Sequence, residues 1–323
     1  MTKDSINHLT NRDAMRLPNF FSGSICDYIS DEFNKVRYNS KDELIAQIKS
    51  LHTSLSTRIA AATVLGHIGD PRINTYQPAM QLIDGDKISI GTNSENIDKI
   101  YNQFKNIGVK YEWIEKETPE FDIELESFKI ALHPVTNQEY RDFLVDSRWS
   151  ELPSSWPFGK YPHYAVNHPV FGISVAAAEA YTKWLAKKTQ RLFRLPSEIE
   201  WEYAAAGPLR NIYPWGNIFS DLKANTLESN ILCTTPIGIY EEGKSVFGLY
   251  DMAGNVEEYV ADNYWVYPKG RFINDDLALL DPNYRITRGG SFTRFADLAR
   301  CTRRHGFYPK DLYAIGFRLA ETI

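Results

Sequence analysis

Cysteine is scarce in this sequence. The 323 residues include three cysteines, Cys26, Cys233 and Cys301, which lie far apart along the chain and form no Cys-x-x-Cys pair. A disulfide-stapled secreted domain has many closely spaced cysteines, and a zinc ribbon needs two such pairs. The sequence therefore predicts neither a disulfide framework nor a zinc ribbon.

An excess of positive charge and long apolar runs are also missing. Lysine and arginine number 36 against 41 aspartate and glutamate, a net charge of −5, whereas a general nucleic-acid binder needs a basic face. No apolar run approaches the roughly 18 residues of a membrane span. Residues 1–21 are polar and lack the apolar core of a signal peptide. We therefore expect a cytoplasmic protein whose partners include neither nucleic acid nor membrane.

Aromatic side chains, by contrast, are abundant. Phe, Tyr and Trp make up 13% of the residues, within a hydrophobic fraction of 43%. Large rings fill the gaps between irregular segments, so the composition favours a loop-rich fold, with a ligand-binding surface as the alternative interpretation. At about 150 residues per domain, the length allows one large domain or two small ones.

The first part of the chain is predicted to form a small helical unit. Ser40 and Glu43 have the spacing of a capping box at the start of one helix, and a second helix is predicted to begin at Ser56. Gly69-Asp70-Pro71 ends this helix, since proline cannot continue it. We therefore predict a helical unit at 1–75 and a main domain at 76–323.

The main domain shows both strand and helix patterns. In chain order, the predicted elements are a β-hairpin around the Asp-Gly turn at 84–86, a loop with short structured segments over 92–120, a strand over 121–130, helices at 136–145 and 174–188, and a short helix from the Ser197 capping box to Gly207. The chain after that helix is rich in Gly, Pro, Asn and aromatic residues, which is typical of long loops.

Seven segments occur in an order that points to a known family. They are PVTNQEY (134–140), HPVFGIS (168–174), RLPSEIEWEYAAAG (194–207), YPWGN (213–217), GLYDMAGNVEEY (248–259), RGGSF (288–292) and GFRLA (316–320). In this order they resemble the formylglycine-generating enzyme family, also called the sulfatase-modifying-factor domain, over about three quarters of the chain. Family members have a variant of the C-type lectin fold. The resemblance therefore implies an α+β, C-type lectin-like, loop-rich fold preceded by the small helical unit.

The resemblance also implies structural calcium. A hard cation of this kind takes about six to eight oxygen ligands, and the turn that begins at Asp251 alternates carboxylates with backbone carbonyls. The implied ligands are the side chains of Asp251 and Glu258 and the carbonyls of Gly254 and Val256, with Asn225 and Thr226 at the start of a second site. The alternative is that Asp251 and Asn255 only make turn hydrogen bonds.

The positions of the family's copper ligands have changed. Formylglycine-generating enzymes oxidise a substrate cysteine with a copper ion held by two cysteines, and thiolates are natural ligands of Cu(I). The corresponding positions here hold Arg294 and Ala299, so copper-dependent formylglycine formation is not expected. The family's iron-binding sulfoxide synthases use a clustered His motif from an added helical-bundle domain, and residues 1–75 lack that motif.

Basic side chains cluster in residues 293–310 of this acidic protein, a stretch that lines the substrate groove in the family. Clustered arginine clamps carboxylate or phosphate groups, so we predict an anionic or peptide-like ligand. The candidate catalytic and groove residues are Ser291, Arg294, Arg303 and His305, and Arg304 is predicted to join Arg294 and Arg303 in an anion-binding rim. The alternative is a solvated face, or pairing of these cations with the surplus acids.

Two glycine-containing segments, Arg288–Ser291 and Gly316–Arg318, are predicted to form the final pair of strands. Two adjacent glycines allow a close backbone approach. Arg318 is expected to pair with a buried carboxylate, for which Glu200 and Glu202 are the candidates.

Three functions remain open at this point. The first is an oxidative tailoring enzyme that acts on a peptide-like or anionic small molecule, with iron or copper as a cofactor for which the sequence shows no clear ligand set. The second is a non-catalytic binding module for a ligand or a partner protein. The third is a pseudoenzyme that regulates a partner protein and docks through its N-terminal helices.

Overall fold

The computed structural model of this chain describes residues 6–323. Its α-helices are α1 (Asn11–Ala14), α2 (Ser30–Val36), α3 (Lys41–Lys49), α4 (Leu55–Ile68), α5 (Ile97–Phe104), α6 (Tyr111–Glu115), α7 (Asn137–Ser147), α8 (Val175–Thr189), α9 (Glu198–Ala206) and α10 (Asp276–Leu280). None of the helices within residues 6–323 is long and apolar enough to cross a membrane.

The strands of the described residues are short and lie in separate small sheets. They are β1 (Met80–Ile83), β2 (Asp86–Ile90), β3 (Phe121–Leu125), β4 (Phe128–Ala131), β5 (Phe193–Arg194), β6 (Glu257–Asn263), β7 (Arg285–Arg288), β8 (His305–Gly306), β9 (Ile315–Phe317) and β10 (Ala320–Thr322). The strand orders are β1-β4-β10-β5, β2-β3 and β8-β7-β6-β9. Long loops connect these elements, so the predicted loop-rich α+β architecture is confirmed.

Helices α2, α3 and α4 form the N-terminal helical unit. Ser40 caps α3 and exchanges hydrogen bonds with Glu43, as the capping-box spacing predicts. The predicted start of α4 at Ser56 is wrong, because Ser54 is the cap and its hydroxyl accepts the N–H of Thr57. The apolar side chains of this unit pack against residues far along the chain: Ile231, Ile239 and Tyr240. The division at residue 75 stays a prediction.

The predicted hairpin around Gly85 is wrong. Strand β1 pairs with β4, and β2 pairs with β3, so the Asp-Gly turn joins two different sheets. The Gly85 N–H donates to the Ser127 hydroxyl in the β3–β4 connection. A Cβ at Gly85 would lie 2.4 Å from the carbonyl oxygen of Leu125, so the close approach of these two connections requires glycine.

The chain from residue 92 to residue 131 contains two short helices and two strands. Residues 92–120, predicted as a loop with short structured segments, contain helices α5 and α6, whose apolar side chains Phe104 and Trp113 enter the main core. The single strand predicted over 121–130 is divided into β3 and β4. Propensity and periodicity are weak for helices this short, and tertiary packing decides them.

The three helices predicted in the main domain are confirmed. Thr136, Ser174 and Ser197 cap α7, α8 and α9, and each side chain accepts a backbone N–H three residues further on. Helix α9 ends at Gly207, whose φ of 65° lies in the region that glycine favours.

The prediction that the segments at 288–291 and 316–318 pair directly with each other is wrong, because another strand lies between them. Strand β6 lies between β7 and β9, pairing antiparallel with β7 and parallel with β9. The two predicted strands therefore belong to one sheet without touching as a pair. Glycine still serves close packing here, since a Cβ at Gly316 would lie 2.2 Å from the Val170 carbonyl oxygen.

Arg318, just after β9, makes the predicted ion pair with a buried carboxylate. Its Nε and Nη2 donate to the two oxygens of Glu258 in β6 at 2.6 and 2.7 Å. The Trp201 indole donates to Oε2 of the same carboxylate at 2.7 Å. The guanidinium also donates to the carbonyls of Ala131 and Tyr250, so it ties β6 to the sheet that contains β4.

The predicted partners of Arg318 are wrong. Glu200 is bound by Arg194, and Glu202 is bound by Arg288. The carboxylates of helix α9 therefore pair with three other arginines, Arg194, Arg288 and Arg304, and the Trp201 side chain of the helix reaches the Arg318 ion pair.

Arg318→Met is expected to destabilise the fold by roughly 3–5 kcal/mol, because it leaves the buried Glu258 carboxylate without its cation. Urea unfolding measures this loss. Lys183→Met is the matched control, since it removes a cation whose side chain is 79% exposed and 3.8 Å from Glu179, and it is expected to cost less than about 1 kcal/mol. Equal losses in the two variants contradict the assignment.

Candidate functional site

Most of the predicted basic rim is buried in ion pairs. Arg300 donates to the two oxygens of Glu117 at 2.7 and 2.8 Å, and also to Asp297 at 3.0 Å. Arg303 donates to the other oxygen of Asp297 at 3.0 Å. Burial alone raises the pKa of Asp297, but the two guanidinium groups outweigh it and hold that pKa below its usual value.

A second part of this buried ionic cluster surrounds Glu198. Arg304 donates to both Glu198 oxygens at 2.8 and 2.9 Å and lies 4.1 Å from the centroid of the Tyr267 ring. Arg288 lies 3.2 Å from Glu198 and 2.5 Å from Glu202. The predicted rim of Arg294, Arg303 and Arg304 is therefore wrong for Arg303 and Arg304, because a charge removed from water must be paired.

Arg294 differs from these arginines. It is only 8% exposed, and its Nε makes no hydrogen bond. No ion pair joins it to a carboxylate within residues 6–323. The guanidinium carbon lies 5.4 Å from the centroid of the Tyr313 ring. Because an unpaired buried cation is costly, this position favours an anion.

His305 is held by a carboxylate that the sequence analysis did not single out. Its Nδ1 lies 2.7 Å from Oε1 of Glu257, and the Thr287 hydroxyl donates to the same oxygen. Burial lowers the pKa of His305 below its usual value, against the opposing effect of Glu257. The other Glu257 oxygen is buried and makes no hydrogen bond.

A small cavity brings three of the four predicted catalytic and groove residues together. Arg294, Arg303 and His305 border a space of about 10 Å³, together with Tyr313, which suits a single water molecule. Ser291 does not border it. The Ser291 hydroxyl instead lies 2.9 Å from that of Thr293, which donates to a backbone carbonyl.

Tyr313 also borders a much larger cleft of about 1120 Å³. Its wall includes the partly or fully buried aromatic residues Phe171, Tyr259 and Tyr284. The charged side chains that border it are Arg285, Lys310, Asp281 and Asp311. This combination of rings with charges of both signs is suited to a small molecule that carries polar groups.

Lys310 connects the cleft to the N-terminal turn. Its ammonium donates to the backbone carbonyls of Ile6 and Leu9, and no ion pair joins it to a carboxylate in the part of the chain that the structure describes. Burial and the Arg294 charge lower the pKa of Lys310. The Tyr313 hydroxyl donates to the side-chain oxygen of Asn7, so the turn at Ile6–His8 closes one side of the site.

The side chains predicted to bind calcium at the first site already make hydrogen bonds within the protein. Both oxygens of the predicted ligand Glu258 accept hydrogen bonds from Arg318, so a guanidinium already balances its charge. Asp251 accepts the Gly238 N–H at 2.8 Å, and burial raises the pKa of Asp251 to about 6. Its other oxygen lies 3.4 Å from the Asn255 amide, the turn contact that was the alternative.

The second predicted calcium site also makes internal contacts. Asn225 donates to the carbonyl of Cys233 at 2.8 Å, and the Thr226 hydroxyl donates to Glu228 at 2.7 Å. Gly254 forms an isolated bridge with Asn225, and Val256 is buried beside it. Within residues 6–323, no group of three His, Cys, Asp or Glu side chains is arranged around a metal position. Calcium at the two predicted sites therefore stays a prediction.

The two positions that correspond to the family's copper-binding cysteines hold Arg294 and Ala299, neither of which has a thiol. Arg294 is the unpaired buried cation described above, and Ala299 is fully buried. The nearby Cys301 is also fully buried, and burial raises the pKa of its thiol. A protonated, enclosed thiol is a poor metal ligand.

Sequence reasoning missed Glu257 and Tyr313. Glu257 follows directly after the buried Val256 and precedes Glu258, and adjacent residues of a strand point to opposite faces. Glu257 and Glu258 are consecutive at the start of β6, so their side chains lie on opposite faces of the strand. Each carboxylate therefore needs its own partner, and this was the signal in the sequence. Tyr313 carries no such local signal, since its role comes from bordering both cavities.

Comparison with known proteins identifies a family and related chains. A family model described as the sulfatase-modifying factor enzyme 1-like domain matches residues 70–323. Serine/threonine-protein kinase Pkn1 of Chlamydia trachomatis is 35% identical over 227 residues, covering 64% of this chain and 35% of that protein. Hercynine oxygenase of Mycobacterium tuberculosis is 30% identical over 246 residues, covering 65% of this chain and 56% of that protein. The chain thus spans about a third to a half of the length of these related proteins.

The solved structure of PvdO from Pseudomonas aeruginosa has the same fold. It superposes with a TM-score of 0.58 at 23% identity, covering 77% of this chain and 95% of that one. The likeness confirms the predicted C-type lectin-like fold of the formylglycine-generating enzyme type.

Arg303→Met is expected to lower the free energy of unfolding by roughly 3 kcal/mol, because it removes one cation from the buried Asp297. Arg294→Met is the matched comparison and is expected to leave the free energy of unfolding unchanged or to raise it, since it removes an unpaired buried cation and breaks no ion pair among the described residues. Urea unfolding of both variants measures the difference. A larger loss in Arg294→Met than in Arg303→Met contradicts this reading of Arg294.

The calcium prediction has a direct test. An ion that binds only the folded chain stabilises it by RT ln(1 + [L]/Kd), about 2.7 kcal/mol at one hundred times Kd. The melting midpoint in excess calcium is therefore expected to exceed that in EGTA, and Asp251→Asn should remove the difference. Equal midpoints, with no calcium in the purified protein, rule the site out.

Proposed function

Because this chain belongs to the sulfatase-modifying factor enzyme 1-like family, we propose that it is an oxidative tailoring enzyme that acts on a peptide-like or anionic small molecule. Its relationship to hercynine oxygenase, whose name describes an oxidative activity, supports the reaction class. The changed copper positions Arg294 and Ala299 separate it from the copper-dependent members. Iron or copper remains a prediction without an assigned ligand set, and the cytoplasmic location likewise remains a prediction.

The cleft bordered by Tyr313 is the observation that carries this proposal. Its volume of about 1120 Å³ is enough for a substrate larger than a single amino acid, since ordinary ligand pockets measure about 300–1,000 Å³. Tyr259, Tyr284 and Tyr313 offer rings to the substrate, and burial raises the pKa of Tyr313 to about 12. That phenol therefore stays protonated near neutral pH, and its single proton is donated to the side-chain oxygen of Asn7.

The charges at the cleft suit a substrate with a carboxylate or another anionic group. Lys310 borders the cleft, and among the described residues its ammonium donates hydrogen bonds only to backbone carbonyls. Arg294 lies behind the Tyr313 ring without a carboxylate partner among the described residues. Asp281 and Asp311 also border the cleft, so an ammonium group of a peptide-like substrate has partners there too.

His305 and Glu257 would act behind this wall rather than on the substrate directly. The His305 ring lies 5.0 Å from the Tyr313 ring, with Glu257 on its Nδ1. The hydrogen bond fixes the orientation of the imidazole, and the imidazole in turn packs against the ring that faces the substrate. We assign His305 and Glu257 a positioning role.

A binding module without chemistry is the second candidate function. The observation that favours it is the loss of both copper cysteines, at Arg294 and Ala299. In that case the same cleft would hold a ligand or a peptide of a partner protein, and no product would form.

The test is recovery of the natural ligand from the cleft. Wild-type protein, purified without chelator from its own cells, is expected to retain a small molecule that native mass spectrometry detects. Val175→Trp fills the cleft at the start of α8 and is expected to lose it. Val145→Trp is the control, because Val145 is 75% exposed and does not border the cleft.

Lys310→Met is expected to weaken binding of the recovered compound about tenfold or more, because Lys310 borders the cleft and a shielded charge-assisted hydrogen bond contributes roughly 1.5–3 kcal/mol. Plasma mass spectrometry of the same preparation, and incubation of the compound with protein and oxygen, distinguish the two functions. Stoichiometric iron or copper and an oxidised product support the enzyme. An unchanged compound with calcium alone contradicts it and favours the binding module.

A further inference from the structure

Two of the three cysteines, distant in the sequence, meet in the folded chain. Cys26 lies in the turn before α2, and Cys233 lies in the loop that follows Asn230. Their side chains lie close enough for each thiol to shift the pKa of the other. Cys233 is exposed and Cys26 is partly exposed, so small reagents have access to the pair.

Backbone and packing contacts support this proximity independently. The Asn230 side-chain amide donates to the carbonyl of Gly23 at 3.3 Å. Cys26 packs against the small apolar cluster that contains Ile29 of the helical unit and Ile231 of the main domain. The residues around Cys26 are therefore in contact with the residues that precede Cys233.

We propose that Cys26 and Cys233 form a reversible disulfide that fastens the N-terminal helical unit to the loop carrying Asn225 and Thr226. The bond would close a loop of about 200 residues, and long loops have the largest entropic effect on the unfolded chain. Cys301 takes no part, because it is fully buried elsewhere in the core.

The oxidant in this proposal is a small-molecule disulfide such as oxidised glutathione. The Cys26 thiolate attacks one of its sulfurs, which gives a mixed disulfide and releases one thiol. The Cys233 thiol then loses its proton, attacks the Cys26 sulfur of the mixed disulfide and releases the second thiol. The two cysteines lose two protons and two electrons, and the oxidant is reduced to two thiols.

The surroundings suit Cys26 as the attacking group. The hydrogen bond from Cys233 lowers the pKa of Cys26 more than burial and the neighbouring Asp27 carboxylate raise it. The pKa of Cys233 is raised by the same hydrogen bond, by burial and by the charges of Cys26 and Asp27. The reactive form of a cysteine is the thiolate, so reaction begins at Cys26.

The bond would act near the candidate site through one loop. Cys233 accepts a hydrogen bond from Asn225 on its carbonyl. Two residues after Asn225, the Leu227 N–H donates to the carbonyl of Arg294 at 2.9 Å. Oxidation would therefore restrain the segment that supports Arg294, without adding any group to the cleft.

The experiment uses the full chain in buffers of defined ratios of oxidised to reduced glutathione. Samples are quenched with N-ethylmaleimide, denatured in its presence and weighed as intact protein. Wild type is expected to carry three maleimide groups when reduced and one, on Cys301, when oxidised. Peptide mapping should then find the Cys26–Cys233 cross-link, and the melting midpoint should rise by several degrees on oxidation.

Three variants make the result specific. Cys26→Ser and Cys233→Ser are expected to show neither the cross-link nor the rise in melting midpoint, whereas Cys301→Ala should keep both. Three maleimide groups on wild type in excess oxidised glutathione overturn the proposal. A stable glutathione adduct on Cys26 with Cys233 still free, or a cross-link that includes Cys301, overturns it as well.

Discussion

The buried pair between Arg318 and Glu258 is the interaction on which the arrangement of the main domain depends. Glu258 lies in the central strand β6, and Arg318 follows β9, which pairs with that strand. The same guanidinium donates to the Ala131 carbonyl in β4, so one charged group connects two sheets. A buried ion pair adds little net stability over an apolar pair, but losing one partner is costly. The pair therefore acts mainly by restricting how the two sheets can meet.

The same rule explains why the basic stretch after β7 is structural. Arg288, Arg300, Arg303 and Arg304 each have a buried carboxylate within 3.2 Å. Irregular loops lack the regular backbone hydrogen bonds of a sheet. These ion pairs between side chains therefore hold the loops in place. Arg294 departs from the rule, because it is buried without such a partner in the described part of the chain. Arg294 borders the small cavity behind Tyr313, and a departure of this kind marks a candidate functional position.

Features set by a few neighbouring residues were predicted well from the sequence. The capping boxes at Ser40 and Ser197 and the glycine stop at Gly207 were confirmed, because each depends on contacts within one helical turn. The order of seven motifs was enough to predict the family and fold. The cap at Ser54 instead of Ser56 was missed because serines two residues apart offer the same local chemistry. The arginines were misread as a rim because sequence spacing does not reveal burial.

The sequence alone determined the fold class, the three main-domain helices and the loss of both copper cysteines, since these follow from residue identity, short spacings and motif order. Only the tertiary structure decided which strands pair, which carboxylate binds Arg318 and which arginine is left without a partner. It also decided that Cys26 meets Cys233 across about 200 residues of chain. These choices depend on contacts between residues far apart in sequence, and the free energy of such contacts is set by burial and geometry that exist only once the chain has folded.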